Sequence, residues 1–420
     1  MVRLMGCCAT LIAMKLLHTA DWHAGRTLHG QSRTPEIRQV LREIAELAQL
    51  EAVELILVAG DLFDSKYPTP DAEEAVYEFF LTTAKAGIPS VVIAGNHDSP
   101  LRLDAVGRVL RLAEVHVVGE ARVAGQGGVL ELAVKGELVR IAALPFVSER
   151  RIVKVAELKS DPGAWRDRYR QGMRTLINNL TAGFSGDAVN LLMMHTTMEG
   201  ATLANSEHTF HCTEAYTVSA DLVPEGVNYL ALGHIHKPQV VVGLAENQAR
   251  YAGSIIQLDF GEEGDHKAVY LIEAAPKQPT QVLERRLKGG RRLKHFRCQR
   301  AELERYLPEI ARCDGWAKLS ITVERLEPGL KDRLKADHPN LLIVEQSVPG
   351  SKRLDLPGVD HTMRLVEAYA QYYREGRGAT LPDDLRAAFE ALYNEAHEPV
   401  LSGSTEAHAE GLSNGTAGAA

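Results

Sequence analysis

The residues of this chain that could do chemistry stand at the ends of short apolar runs. "LLHTADWHAG" closes on Asp21 and His23, "LVAGDLFDS" on Asp61 and Asp64, and "VIAGNHDS" on Asn96, His97 and Asp98. Further on, "LLMMHTT" ends in His195 and "LALGHIHK" in His234 and His236. Any one of these histidines, met alone, would be read as a packed core residue, and Asp61 or Asn96 as a helix cap. Five successive run ends carrying oxygen or imidazole groups are read instead as one site. Carboxylates, one Asn carbonyl and several imidazoles, with no thiolate, suit Mn²⁺, Fe²⁺ or catalytic Zn²⁺ better than a structural zinc. The seven candidate ligands are Asp21, His23, Asp61, Asn96, His195, His234 and His236, which is too many for one ion. Two ions about 3.5 to 4 Å apart share a bridging carboxylate and clamp both the attacking and the leaving oxygen of a phosphoryl displacement. Asp61 is the natural bridge. The glycines before Asp61, Asn96 and His234 are expected to let the backbone turn sharply there.

To hold these groups the chain needs a frame of strands that stop abruptly. "KLLHTA", "ELILVAG", "PSVVIAG", "VRIAALP", "NLLMMH", "YLALGH" and "AVYLIEA" read as strands. Between them, "EIRQVLREIAELAQLEA" and "DAEEAVYEFFLTTAKAG" place apolar residues at three- and four-residue steps, the mark of amphipathic helices. Strand and helix alternation predicts a layered α/β fold with its site on loops at strand ends. A second segment, 276–348, carries "KLSITVE", "GLKDRLKAD" and "NLLIVEQSV" and reads as a small α+β unit. "PGSKRLDLPG" reads as a linker. Beyond it two helices are expected over about 361–397, with the stripe Met363, Leu365, Val366, Ala368, Tyr369, then Leu385, Ala388, Phe389, Leu392 and Tyr393. The ends, 1–13 and 401–420, are expected to be disordered, the latter from its Gly, Ser, Ala and Thr content.

The ordered motifs D-x-H, G-D-x-x-D, G-N-H-D, a lone His after a strand and G-H-x-H resemble those of the calcineurin-like metallophosphoesterases. "LLHTADWHAGRTLHG", "VAGDLFDSKYPTP" and "VIAGNHDS" are similar to the SbcD nucleases in particular. The resemblance covers residues 14–400 in layout, with its specific motifs in the first 240 residues. It implies an α/β/β/α sandwich over 14–275, a DNA-capping domain over 276–348, and, within 349–400, a linker and a helix pair docking an SbcC-like coiled-coil ATPase. One metal would be held by Asp21, His23, Asp61 and His236, the other by Asp61, Asn96, His195 and His234, with manganese the expected ion. His97 would be the catalytic histidine, stabilising the phosphorane or protonating the leaving alkoxide, with Asp98 orienting it by a hydrogen bond. A hydroxide, formed because two cations lower a water's pKa, would be the nucleophile. Asp64 is read as either a loop cap or a support for a ligand, and His18 as a packed histidine. The implied activities are 3'–5' exonuclease on duplex DNA and endonuclease on single strands and hairpins. A homodimer through the nuclease domain, assembled with the ATPase as a heterotetramer, is also implied.

Composition narrows the alternatives. With 45% hydrophobic and 24% charged residues the chain reads as globular, and no run approaches a membrane span. Five scattered cysteines fit no zinc site or disulfide framework and suggest a reducing, cytoplasmic setting; a DNA nuclease there is expected to associate with the nucleoid. The net charge of −8 excludes a protein that coats nucleic acid over its whole surface, but not a local basic groove. Such a groove is expected at Arg285, Arg286, Lys288, Arg291, Arg292, Lys294, Arg297 and Arg300, although a charge run can equally be a solvated face. Arg285, Arg286, Arg291, Arg292 and Lys294 are taken as its DNA contacts. A phosphodiesterase or phosphatase acting on another substrate is the main alternative. A non-catalytic scaffold would require lost ligands, and none is missing. No G-x-x-x-x-G-K-[ST] loop occurs, so ATP dependence would have to come from a partner.

Overall fold

The structure, a computed structural model, describes residues 13–148, 152, 162–204, 217–349, 369–370, 373 and 380–389. It divides into two compact units, 1–348 and 349–420.

In the first unit the strands are β1 (Met14–Thr19), β2 (Leu55–Val58), β3 (Ser90–Ile93), β4 (Val115–Val118), β5 (Val129–Val134), β6 (Glu137–Leu144), β7 (Val189–His195), β8 (Tyr229–Gly233), β9 (Gln239–Val240), β10 (Ala249–Tyr251), β11 (Ala268–Ala274) and β12 (Gln281–Arg286). One sheet runs β12-β11-β1-β2-β3-β4 and the other β9-β10-β8-β7-β6-β5. The centre of each sheet is parallel, β1 to β4 in one and β6, β7, β8 and β10 in the other. Parallel neighbours all present their carboxyl ends on one edge, where α/β sheets place their sites.

Strand alternation assembles the four layers. Leu16, Leu55, Leu57, Val91 and Ile93 point between the sheets and meet Val139, Ile141, Val189, Leu191 and Tyr229. The intervening Leu17, Ile56, Val58 and Val92 face the helices α1 (Thr34–Leu50), α2 (Pro70–Lys85) and α3 (Pro100–Leu110). On the far side Leu192, Met194 and Leu230 pack against Tyr169, Met173 and Ile177 of α4 (Pro162–Thr181). Each of the first three helices has a proline at its first or second position, where a missing N–H costs nothing. Along α1, Ile37, Val40, Leu41, Ile44 and Ala48 form the buried stripe that its sequence spacing predicts.

The smaller α/β portion alternates β13 (Leu293–Gln299), α5 (Leu303–Arg312), β14 (Trp316–Thr322), α6 (Leu330–Asp337) and β15 (Leu341–Ser347). Its three strands are all parallel, around a core that includes Phe296, Ile310, Leu319, Ile321 and Leu334. Residues 281–286, assigned from sequence to this segment, are instead the edge strand β12 of the first sheet, antiparallel to β11. The cap therefore starts after Arg286, and the expected boundary at 275 lies too early. Glu36 of α1 joins the two parts. It accepts hydrogen bonds from the Arg291 main-chain N–H (2.6 Å) and Trp316 Nε1 (3.0 Å), while also holding Arg33 (2.8 and 2.9 Å).

In the second unit, residues 383–389 are helical and the rings of Tyr369 and Phe389 stack 4.4 Å apart. Leu385 and Ala388, part of the stripe expected either to pack as core or to dock onto a partner, are exposed. The remaining expectations for 349–400, the segment 1–12 and the tail 401–420 lie outside the described residues.

Candidate metal centre

All seven proposed ligands are brought to one end of the two central sheets. After β1 the chain turns so that Asp21 and His23 face inward while Trp22 points into the helical layer. There Trp22 lies 4.9 Å from Phe79 and 5.6 Å from Phe80, and its Nε1 donates to Thr19 Oγ1 at 2.9 Å. Burial of this ring anchors the turn that holds the two ligands. The loop is laced to the next one by Asp21 N–H to Gly60 O (3.0 Å) and His23 N–H to Asp61 O (3.0 Å).

Four of the seven sit in left-handed backbone: Asp21 (φ 51°), His23 (φ 48°), Asp61 (φ 52°) and His234 (φ 97°). A non-glycine residue in a sparsely populated region costs on the order of 1 to 3 kcal/mol, and such strain gathers at functional sites. The three glycines before the ligands divide by role. Only Gly60 itself has a positive φ (92°). Gly95 and Gly233 are needed for space, since a Cβ on Gly95 would strike the Asp61 carboxylate and one on Gly233 the Ala59 carbonyl.

The donor atoms converge. Ligand atoms of Asp21, His23 and His236 lie within 4.8 Å of one another, as do those of Asp21, Asp61 and His195, and those of His23, Asp61 and His97. His195 Nε2 is 3.4 Å from Asp61 Oδ2 and 3.0 Å from Asn96 Oδ1, and His234 Nδ1 is 2.9 Å from the same Asn96 oxygen. The rings are oriented from behind. His195 Nδ1 donates to Ala59 O at 2.8 Å, His23 Nδ1 lies 3.2 Å from Asp64 Oδ1, and His236 Nδ1 lies 3.6 Å from Glu262 Oε1. With protons on those outer nitrogens, the unprotonated Nε2 atoms of His23 and His236 lie 3.2 Å apart. Two lone pairs at that distance repel unless a cation lies between them. The donor set therefore fits metal, and the carboxylates behind His23 and His236 are the usual support of a metal-bound histidine.

The electrostatics agree. Burial opposes charge on Asp61, yet His195, His23 and His97 hold its carboxyl well below the usual range. Burial likewise opposes an imidazolium at His195, but Asp61 and Asp21 lift its pKa to about 9. Burial pushes Asp21 up to about 7 and His23 down to about 4. A metal-free cluster of buried acids and bases is balanced by borrowed protons, and cations that bind there displace them. His18, buried between the sheets with Nδ1 3.0 Å from the Tyr229 hydroxyl, is pushed by burial down to about 3 and is a packed neutral residue.

The expected partnership of His97 and Asp98 is redrawn. His97 Nδ1 lies 3.0 Å from the main-chain oxygen of Asp64, and its main-chain N–H donates to Asp61 Oδ1 at 2.8 Å. Asp98 accepts the backbone N–H groups of Leu62 (3.2 Å), Phe63 (3.1 Å) and Gly95 (2.9 Å), so it fixes the two loops and not the imidazole. Neighbours in sequence here point to opposite sides of a tight turn. Asp64 supports a ligand: its carboxylate touches His23 and Arg26 (3.3 Å). Sequence reasoning missed Glu262, Lys267 and Phe146. The Phe146 ring lies 6.0 Å from His234 and 6.3 Å from His195. Glu262 and Lys267 follow no apolar run that would have marked them, and the proline before Phe146 in "ALPFV" was the one cue to a strand end.

Much of the expected basic run is paired with carboxylates. Arg285 pairs with Glu51 (2.9 Å), Arg286 with Glu284 (3.2 Å), Lys294 with Glu309 (2.5 Å) and Arg300 with Glu327 (2.5 Å), while Arg291 stacks over Trp316 (4.5 Å). Arg285 and Arg286 belong to an edge strand of the first sheet, and the other cations of the run follow it.

Comparison with known proteins gives the same assignment. The calcineurin-like phosphoesterase family matches residues 14–238. The SbcD component of the SbcCD nuclease from Bacillus subtilis (strain 168) is 32% identical over 379 residues, 88% of this chain and 95% of that protein. The protein of the same name from Rhodobacter capsulatus is 31% identical, covering 62% of this chain and 67% of its own length. That from Escherichia coli (strain K12) is 30% identical, covering 62% and 64%. With these ligands in this order on this sandwich, the chain belongs to the calcineurin-like phosphoesterase family and, within it, to the SbcD nuclease family.

Proposed function

We propose that this dinuclear-metal phosphodiester hydrolase is the nuclease component of a DNA end-processing complex. It acts as a 3'–5' exonuclease on duplex ends and an endonuclease on single strands and hairpins, with an SbcC-like ATPase as partner in repair and recombination. The observation that carries the hydrolytic chemistry is the 3.2 Å approach of His23 Nε2 and His236 Nε2 beside Asp61. The likeness to SbcD proteins, extending through the cap, supports DNA as substrate.

Asp21, His23, Asp61 and His236 would hold one ion, and Asp61, Asn96, His195 and His234 the other. Two manganese ions bound there would activate water and draw charge from the phosphoryl oxygens. Everything else is the work of the chain. Asp61 is held ionised, ready to be shared. His97 is half-buried at the edge of the cluster, its ring fixed by the Asp64 carbonyl, and it stabilises charge on the phosphorane or protonates the departing alkoxide. Homodimer formation uses α3 and the turn after it, where Leu101 (70% exposed), Val109 (66%) and Leu112 (89%) form an uncovered apolar stripe. The exposed face of the 383–389 helix, with Leu385, is part of the docking surface for the ATPase.

One observation favours the alternative, a phosphodiesterase acting on a substrate other than nucleic acid: carboxylates pair with five of the eight cations of the basic run, Arg297 with Glu263 (4.0 Å) included. Linear duplex DNA, single-stranded circles and a chromogenic phosphodiester, each incubated with Mn²⁺ and with Mg²⁺, separate the two. The nuclease cleaves both DNAs with manganese. Hydrolysis of the chromogenic diester alone would overturn the nuclease assignment and leave a phosphoesterase of other specificity.

A further inference from the structure

A buried ion pair behind His236 has no part in the chemistry described so far. Glu262 and Lys267 are 0% and 2% exposed, and Lys267 Nζ lies 2.6 Å from Glu262 Oε2. Sealing two charges in a core is costly, and a hydrophobic pair of similar volume is often at least as stable. Stability is thus a poor reason for its presence, and its contacts suggest another. Lys267 Nζ also donates to the His236 main-chain oxygen (2.9 Å) and to Ser254 Oγ (2.8 Å), and Glu262 Oε2 accepts from the Leu258 N–H (3.1 Å). The carboxylate's other oxygen lies 3.6 Å from His236 Nδ1, longer than a hydrogen bond and within ion-pair range. The pair thus grips His236 at both ends, at its carbonyl through Lys267 and at its ring through Glu262.

We infer that Glu262 and Lys267 are a positioning unit for His236, which sets the affinity of one of the two metal sites and leaves the other almost untouched. The inference rests on the dinuclear reading, because His236 must be a ligand for its position to matter. Glu262 keeps the proton on Nδ1 and so the lone pair on Nε2, toward His23. Lys267 holds the carboxylate in place and neutralises it, so that the loop carrying it can be buried. The other imidazoles draw on different supports, His23 on Asp64 and His195 on the Ala59 carbonyl, so the effect is confined to one site.

Manganese binding to the full-length metal-free protein, followed by calorimetry, tests this together with the melting temperature in excess chelator. The wild type takes up two ions. Glu262→Gln weakens one binding step about ten- to a hundredfold, the usual effect of losing a carboxylate behind a metal-bound histidine, with the other step unchanged. The double variant Glu262→Gln, Lys267→Met removes both charges, avoids an unpaired buried lysine, and binds no more weakly than Glu262→Gln alone. Its melting temperature in chelator stays within a few degrees of the wild type. Two wild-type binding steps in Glu262→Gln would overturn the inference while leaving the dinuclear reading intact. Equal weakening of both steps with a lowered chelator-state melting temperature would also overturn it, as the pair would then be structural. A wild type that binds no second ion would instead overturn the dinuclear reading itself.

Discussion

Asp61 and His97 lie within a few ångströms of each other, yet different tasks are proposed for them, and substitution separates the two. Asp61 is buried and flanked by His195 and His23, at 3.4 and 3.7 Å, with its other oxygen taken by the His97 main-chain N–H. Asp61→Asn keeps the size and removes the shared anion, so metal uptake and hydrolysis should both be lost in a folded protein. Two ions retained at wild-type affinity by calorimetry would contradict the bridge. His97→Ala should retain both ions and lose about two to four decades of rate, the worth of a positioned acid with its electrostatic assistance. Loss of an ion in that variant would make His97 a ligand, which its proximity to His23 and Asp61 allows geometrically. The seven proposed ligands could be read from sequence because each lies at, or within four residues of, the end of an apolar strand. Asp98, adjacent to His97 along the chain, is bonded instead to the Leu62, Phe63 and Gly95 main-chain N–H groups, a separation that its place in the sequence does not reveal. Glu262 and Lys267 were invisible because they act from an irregular segment that reaches His236 only through the fold.

At the scale of elements, the strands that carry ligands were legible because a strand covered on both faces must be apolar throughout, as "ELILV" and "NLLMM" are. Several strands without candidate ligands escaped, β4, β5, β9, β10 and β13 among them. "VHVV" is short and holds a histidine, and "VLELAV" is half-exposed at a sheet edge where polar residues are tolerated. The strand β12 was misplaced for a related reason. Its "LERR" looks like the start of a basic surface, whereas charge on an edge strand also guards against unwanted strand pairing. The joint between sandwich and cap rests on α1. Arg33 is 0% exposed, and Glu36 is its partner as well as the acceptor for Arg291 and Trp316. Glu36→Ala leaves that guanidinium without its carboxylate and should cost about 3 to 5 kcal/mol, the penalty for breaking one side of a buried pair. The first sign should be faster proteolysis between residues 287 and 293, where the cap begins. A variant with wild-type urea midpoint and cleavage rate would show that the cap is held by its other contacts, such as Gln257 Oε1 with the Leu293 N–H at 2.8 Å.

For the whole molecule the question is how a chain of net charge −8 engages DNA and a partner. Duplex binding depends on released counterions, each phosphate contact contributing nearly one unit to the salt slope. With most of its run of cations already paired to carboxylates, this chain alone should show a shallow slope, so that much of the grip on DNA must come from the assembly. The second unit is the candidate attachment. It is compact in its own right, it begins after the last strand of the cap, and its described helix leaves Leu385 and Ala388 uncovered. Deleting residues 361–420 removes none of the seven ligands, His97, the cap or the Glu36 joint. Manganese-dependent cleavage of short DNA should therefore persist at close to the full-length rate. Stimulation by an SbcC-like ATPase with ATP should disappear, and co-sedimentation of the two proteins with it. Loss of the basal cleavage as well would mean that the second unit supports the nuclease fold. Undiminished binding of the ATPase by the truncated chain would move the partner's surface onto the sandwich or the cap, and the exposed stripe on α3 would then be the first place to look for it.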